Sequence, residues 1–289
     1  KAVEVLESLI KMAGDDVRSL SALNRLYTAE ENWNALIDVI RRQLALSVME
    51  QERELDLKFR LGQVAKKQMK DPITALECYR EIVALEPDHE GAVAALEEMT
   101  REPDCQVEAA RILLSYYEDR EKWNDLVEVV EILVKNSEDA LEKYELLLKI
   151  GEVFSDKLVS PERAFVAYSR AFRENIGDLE VLERIEAITT VLDCWDEMVA
   201  LLSEGGRTAS DSEIRKDLWL RTARIYETHL DNVDKAIDAY SHVLELDSRE
   251  LEAIEALESI YNRTDRWREL IGIYQSKAEI AAGNEEKEK

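Results

Sequence analysis

The sequence predicts an all-α chain, an α-α superhelix in the form of a solenoid of antiparallel helix hairpins built on a 72-residue double repeat. Spacing is the first reason. Ala2 to Trp33, Ala164 to Trp195 and Ala236 to Trp267 are each 31 residues, while Trp123 to Ala164 and Trp195 to Ala236 are each 41. A fixed period of this length marks like units that bury their apolar faces on one another. The second reason is that apolar residues return every three or four positions, as one helical face requires; Leu147, Ile150, Gly151 and Phe154 form such a stripe. Composition is the third. Nine glycines and four prolines in 289 residues are too few for a strand-and-turn protein, whereas abundant Ala, Leu, Glu, Lys and Arg favour helix.

Taken in order, residues 2–12 read as the second helix of a hairpin, with Ala2 in the place of Ala236. A helix over 16–29 carries Leu20, Leu23 and Tyr27, and its partner carries Trp33, Leu36 and Ile40. The next pair spans 52–68 and 72–86, split by Asp71-Pro72, a proline at a helix's first turn where its missing N–H costs little. Ala75 to Trp123 is 48 residues rather than 31, so 17 residues are added here. Two helices fit the stretch, 88–100 and 105–119, both like the first helix of a hairpin. An odd helix breaks the two-helix alternation, so a kink or boundary is expected at 87–105 within a single array spanning 1–289. From 141 to 204 the pattern resumes, with Pro161 opening a helix. Glu204 to Ser210, with its diglycine, reads as the longest non-helical piece, and Ser210-x-x-Glu213 as a capping box for the helix that follows. The charged tail 284–289 is expected to fray.

Small residues at Gly62, Gly151 and Ala223 stand thirteen positions before Ala75, Ala164 and Ala236, each followed four residues on by Tyr79, Tyr168 or Tyr240. Small groups at fixed places on successive helices let the backbones approach, and the aromatic fills the next layer. These residues resemble the tetratricopeptide repeats, whose Trp-x2-Leu-Gly-x2-Tyr, Ala-x3-Phe and Pro pattern is similar to Leu147-x2-Ile150-Gly151-x2-Phe154 with Ala164-x3-Tyr168, and to Leu61-Gly62, Ala75-x3-Tyr79 and Pro87. The departures are Lys58 at an apolar position, Ser248 and Ile176 in place of proline, and a turn one residue longer than usual. Alternate half-repeats keep instead Trp33/Leu36, Trp123/Leu126, Trp195/Met198 and Trp267/Leu270.

The resemblance implies a right-handed superhelix whose first helices line a concave groove that holds a peptide or a neighbouring protein. Carried across, the family's inward positions are Phe59, Gln63, Lys66 and Lys67; then Leu148, Glu152, Ser155 and Asp156; then Leu220, Arg224, Glu227 and Thr228. In the divergent halves they are Arg25, Arg111, Ser115, Glu118, Ser259 and Arg263. Acidic and basic residues occupy these positions in about the chain's own proportion of 63 to 38, so the groove carries no charge signal. What recurs is an apolar residue, at Phe59, Leu148 and Leu220. Exposed, these would anchor an amphipathic or extended segment; packed, they would join the adjacent hairpin.

A net charge of −25 repels phosphate backbones and anionic lipid, which argues against nucleic-acid and membrane-surface partners. No apolar run approaches the roughly 20 residues of a membrane span. Three scattered cysteines, Cys78, Cys105 and Cys194, suit a reducing compartment such as the cytoplasm better than a disulfide framework. The chain starts at Lys1, so a removed export signal stays open. His89, His229 and His242 lack a partner ligand at i+3 or i+4; His229 and His242 fall on one hairpin, where a surface pair is expected rather than a metal site. The periodic tryptophans read as core rather than as a stacking platform. With no nucleophile motif, dinucleotide loop or cofactor signature, the expectation is a non-enzymatic scaffold that binds a protein or peptide partner and no cofactor. The alternatives are a structural repeat protein that assembles into a homo-oligomer, or a regulatory domain of a larger enzyme.

Overall fold

A computed structural model describes residues 1–46 and 50–287. Among these all regular structure is helical. The chain divides into two compact units, Lys1–Ser137 and Glu138–Lys289.

The first unit holds α1 (Ala2–Ala13), α2 (Val17–Ala29), α3 (Trp33–Leu44), α4 (Gln51–Val64), α5 (Pro72–Leu85), α6 (Glu90–Met99), α7 (Gln106–Asp119) and α8 (Trp123–Asn136). Starts are set by local chemistry. The Asp16 carboxylate accepts from the N–H groups of Arg18 and Ser19, and Asp71 accepts from Thr74 ahead of Pro72. Helices α2 and α3, α4 and α5, and α7 and α8 pack as hairpins. Leu20, Leu23, Leu36 and Ile40 meet Leu57, Leu61 and Val64 in one core.

The segment 87–105, where a kink or boundary is expected, lies inside this unit. The added helix is α6, and its register corrects one expectation. Ala92, fully buried, stands 31 residues before Trp123, as Ala2 stands before Trp33, and Glu97 accepts a hydrogen bond from Tyr117 as Glu7 does from Tyr27. Glu90–Met99 therefore occupies the place of a second helix, not a first. Helix α7 touches both α6 and α5, so the alternation is broken at this point.

The second unit holds α9 (Ala140–Glu152), α10 (Pro161–Glu174), α11 (Leu179–Leu192), α12 (Trp195–Thr208), α13 (Ser212–Thr228), α14 (Val233–Leu246), α15 (Leu251–Arg263) and α16 (Trp267–Lys287). The small-residue positions do what their spacing implies. A Cβ built on Gly151 would lie 2.4 Å from the Tyr168 ring, and one on Gly62 would lie 2.7 Å from the Tyr79 ring. Only glycine lets these helices approach so closely, and the buried tyrosines fill the space.

Three local expectations are corrected. The diglycine is no helix stop: α12 runs through it to Thr208, because Gly205 lies under Leu218 and Phe172 and Gly206 under the indole of Trp219, where a Cβ would meet neighbours at 2.9 Å. The cap of α13 is Asp211, which accepts from Glu213 and Ile214, and not Ser210. Helix α16 continues through 284–287, as strong helix formers such as Glu and Lys allow, while the last two residues of the expected frayed tail, 288–289, lie outside the described residues.

The longer turn has a common geometry. Helices α4 and α9 each continue into a π-helical turn, Ala65–Met69 and Val153–Lys157. Each then closes with a long-range bond, Asp71 N–H to the Ala65 carbonyl at 2.9 Å and Ser160 N–H to that of Phe154 at 2.8 Å; Asn232 to Tyr226 repeats it after α13 at 2.8 Å. A widened last turn absorbs the extra residue, which is the usual role of a single π turn. Each closure puts one residue at positive φ: Lys70 at 54°, Val159 at 49° and Asp231 at 45°.

Candidate functional site

The groove positions fall into two classes. The apolar anchors are largely internal. Phe59 sits 5.9 Å from the Tyr79 ring and 5.0 Å from that of His89, pressed against Gly91, so it packs on the start of α6. Leu220 is 8% exposed and belongs to the core cluster of α13 to α16. Both are thus core rather than exposed anchors. Leu148 and Gln63 are half-buried, and Lys67 is exposed.

The charged positions pair successive first helices to one another. In the second unit Arg184 of α11 reaches Glu152 of α9 at 3.0 Å, and Arg221 of α13 reaches Glu186 of α11 at 2.6 Å. Arg224 of α13 pairs with Glu252 of α15, and Arg263 of α15 returns to Glu227 of α13 at 3.1 Å. In the first unit Lys66 lies between Glu98 at 3.3 Å and Glu102 at 3.0 Å, its side chain 11% exposed. Lys58, out of pattern for the family, is held by Glu54 and Glu81, both at 2.8 Å. The Glu252 carboxylate raises the pKa of Arg224, and burial followed by the Glu227 carboxylate raises that of Tyr240. Ion pairs this exposed contribute about 0–1 kcal/mol each, so they align neighbouring helices without locking them. A partner that replaced one of them would lose little.

Between α11 and α13 the first-helix face opens into a cleft of about 490 Å³. Glu183, Glu186 and Thr190 of α11 form one wall, Arg221 and Arg224 of α13 the other, and Trp195 with His229 closes one end. The histidines do not meet as a pair. His229 stacks on Trp195, while His242 lies 4.5 Å from the Trp219 ring. The spacing of the tryptophans hid this role: of the residues that open the second helices, Trp33, Trp123 and Trp195 are only half-buried, and Trp267 is 57% exposed. Each starts a helix at its rim, so one edge of the indole remains uncovered. A half-buried aromatic at a cleft end was not separable from core by periodicity alone.

Among the described residues no group of three or more His, Cys, Asp or Glu side chains is placed to hold a metal ion, and no helix is long and apolar enough to cross a membrane. Burial raises the pKa of all three thiols, pushing Cys78 up to about 11.

Among curated proteins nothing matches the chain. Solved structures similar to it include MamA, at 14% identity and a TM-score of 0.35 over 59% of this chain and 95% of that one. YrrB, a tetratricopeptide-repeat protein with an unusual peptide-binding site, is similar at 16% identity and a TM-score of 0.32, over 69% of this chain and 97% of that one. PilF of Pseudomonas aeruginosa is similar at 14% identity and a TM-score of 0.28, over 84% and 96%. The tetratricopeptide-repeat family model matches residues 19–54 and 253–288. The first match runs from α2 over α3 into α4 and the second over α15 and α16, each taking in a first helix and the second helix packed on it, so the chain carries tetratricopeptide repeats.

Proposed function

We propose that the chain is a non-enzymatic scaffold that holds a protein or peptide partner on its first-helix faces. The cleft between α11 and α13 is the observation that carries this reading. It joins a predicted groove residue, Arg224, to an aromatic end at Trp195 and His229, between walls of opposite charge. Such a site suits an extended segment that offers an apolar side chain to the aromatic end and polar groups to the two walls. The repeat family supports the general role, and the exchangeable ion pairs support access.

The test is in-cell photo-cross-linking with benzoylphenylalanine at Thr190, inside the cleft, and at Glu162, an exposed position on α10. A discrete partner adduct at 190, absent at 162 and abolished by Arg224→Glu, is the expected result. Equal labelling at both positions overturns the reading.

Self-assembly is the second reading. Helix α1 exposes Val5, Leu9 and Met12 at 61%, 50% and 89%, one apolar stripe at helical spacing. Light scattering over a concentration series distinguishes it, since mass rising with concentration favours association of copies.

A further inference from the structure

The first unit holds a second cleft, on a different surface from the one just described, where the added helix has broken the alternation. Helix α6 separates α5 from α7 in sequence, yet the two still touch, and between them lies a cleft of about 400 Å³. Two residues that the repeat pattern assigns to the groove face of α7, Arg111 and Ser115, line it.

Its floor is apolar, with Val83 and Pro87 on the α5 side and Ile112 and Tyr116 on the α7 side. Its rim runs against the charge of the chain. Three guanidinium groups, Arg80, Arg111 and Arg120, face two carboxylates, Glu108 and Asp119, in a protein whose acidic residues outnumber basic ones 63 to 38. Arg80 pairs with Glu108 across the cleft, while Arg120 turns to Asp88 at 2.5 Å. The Tyr116 ring draws further positive charge to one end: the Arg120 guanidinium lies 4.7 Å from its centroid and the Lys122 ammonium 5.5 Å.

We propose that this cleft docks a short acidic segment of a partner protein. It seats an aliphatic side chain on Val83 and Ile112 and brings the flanking carboxylates to Arg111 and Arg120. Charge complementarity selects the occupant, and range limits its length. At physiological salt fields decay over about 8 Å, so a short peptide senses the local cationic rim. A long polyanion also senses the −25 of the chain and is repelled.

The probe is a fluorescein-labelled octapeptide of two leucines flanked by acidic residues, titrated with the full chain and read by anisotropy. Saturable binding is expected, weakened about tenfold or more by Arg111→Glu and by Ser115→Glu, the scale of one charge-assisted contact, and retained by Arg111→Lys. Both positions are exposed, and unchanged far-UV circular dichroism confirms the fold. Arg224→Glu, in the other cleft, is expected to leave the affinity unchanged, so this test stands apart from that of the first-helix face. The proposal is overturned if no binding occurs up to millimolar protein, if the Arg111 and Ser115 variants bind like wild type, if Arg224→Glu weakens binding equally, or if a lysine-for-acid peptide or a short single-stranded RNA binds as tightly.

Discussion

The imidazole of His229 lies flat on the indole of Trp195, ring centroids 3.6 Å apart and planes 15° from parallel. The contact ties the end of α13 to the start of α12 and shapes the end of the cleft. Aromatic pairs of this kind contribute about 0.5–1.5 kcal/mol beyond the area they bury. A double-mutant cycle of Trp195→Ala and His229→Ala in urea unfolding is expected to give a coupling in that range. A coupling near zero would mean that the rings merely adjoin.

Glycines in helices usually cost about 1 kcal/mol relative to alanine, and the structure reverses that sign at chosen positions. Gly151→Ala drives a methyl into the buried Tyr168 ring and Gly206→Ala drives one against Trp219. Each is expected to destabilise by about 1–3 kcal/mol, as overpacking does. Gly272→Ala, with nothing within 4 Å, is expected to raise stability by up to about 1 kcal/mol. Thermal melts of the three variants check the contrast.

Val159 holds a φ of 49° in the turn before α10 and is 76% exposed. A β-branched residue in the left-handed region is strained by roughly 1–2 kcal/mol, which glycine does not incur. Val159→Gly is expected to raise the melting temperature by a few degrees. A fall would show that Val159 makes contacts worth more than the strain.

The phenol of Tyr144 in α9 donates to the carboxylate of Asp178, the cap of α11. Burial and then this hydrogen bond push Tyr144 up to about 12 from its ordinary 10.0, and the same bond holds Asp178 below its ordinary 3.8. A raised group stabilises the fold fully below its unfolded value and ceases to do so as pH climbs through the folded one. A lowered carboxylate stabilises above its unfolded value, and its contribution disappears as pH falls through the folded one. Tyr144→Phe is therefore expected to cost about 1 kcal/mol between pH 5 and 9, and less below pH 3.8 and from pH 10 to 12. Denaturant midpoints at these pH values test it; a constant difference would remove the bond from the account.

The hairpins and their small-residue contacts were legible because a period and a 3.6-residue stripe report which side of a helix is buried. The Gly151–Tyr168 and Gly62–Tyr79 contacts follow from spacing alone. The diglycine was misread because Gly-Gly signals a stop only when no neighbour presses on it; Trp219 and Leu218 do, and both come from another helix. The register of α6 could have been found from Ala92 to Trp123. The cleft beside it could not, since its walls meet only through packing.

By itself the sequence determined the repeating helix pairs, the faces they bury and the want of any ordered set of catalytic side chains, all properties of local periodicity and residue chemistry. Tertiary structure alone decided which groove charges pair between successive first helices, that Phe59 and Leu220 turn inward, and where two clefts open. The reason is physical. Helical spacing sets the face on which a side chain stands, but the distance between faces depends on how closely the helices pack, and a shift of a few ångströms separates an ion pair from an open cleft.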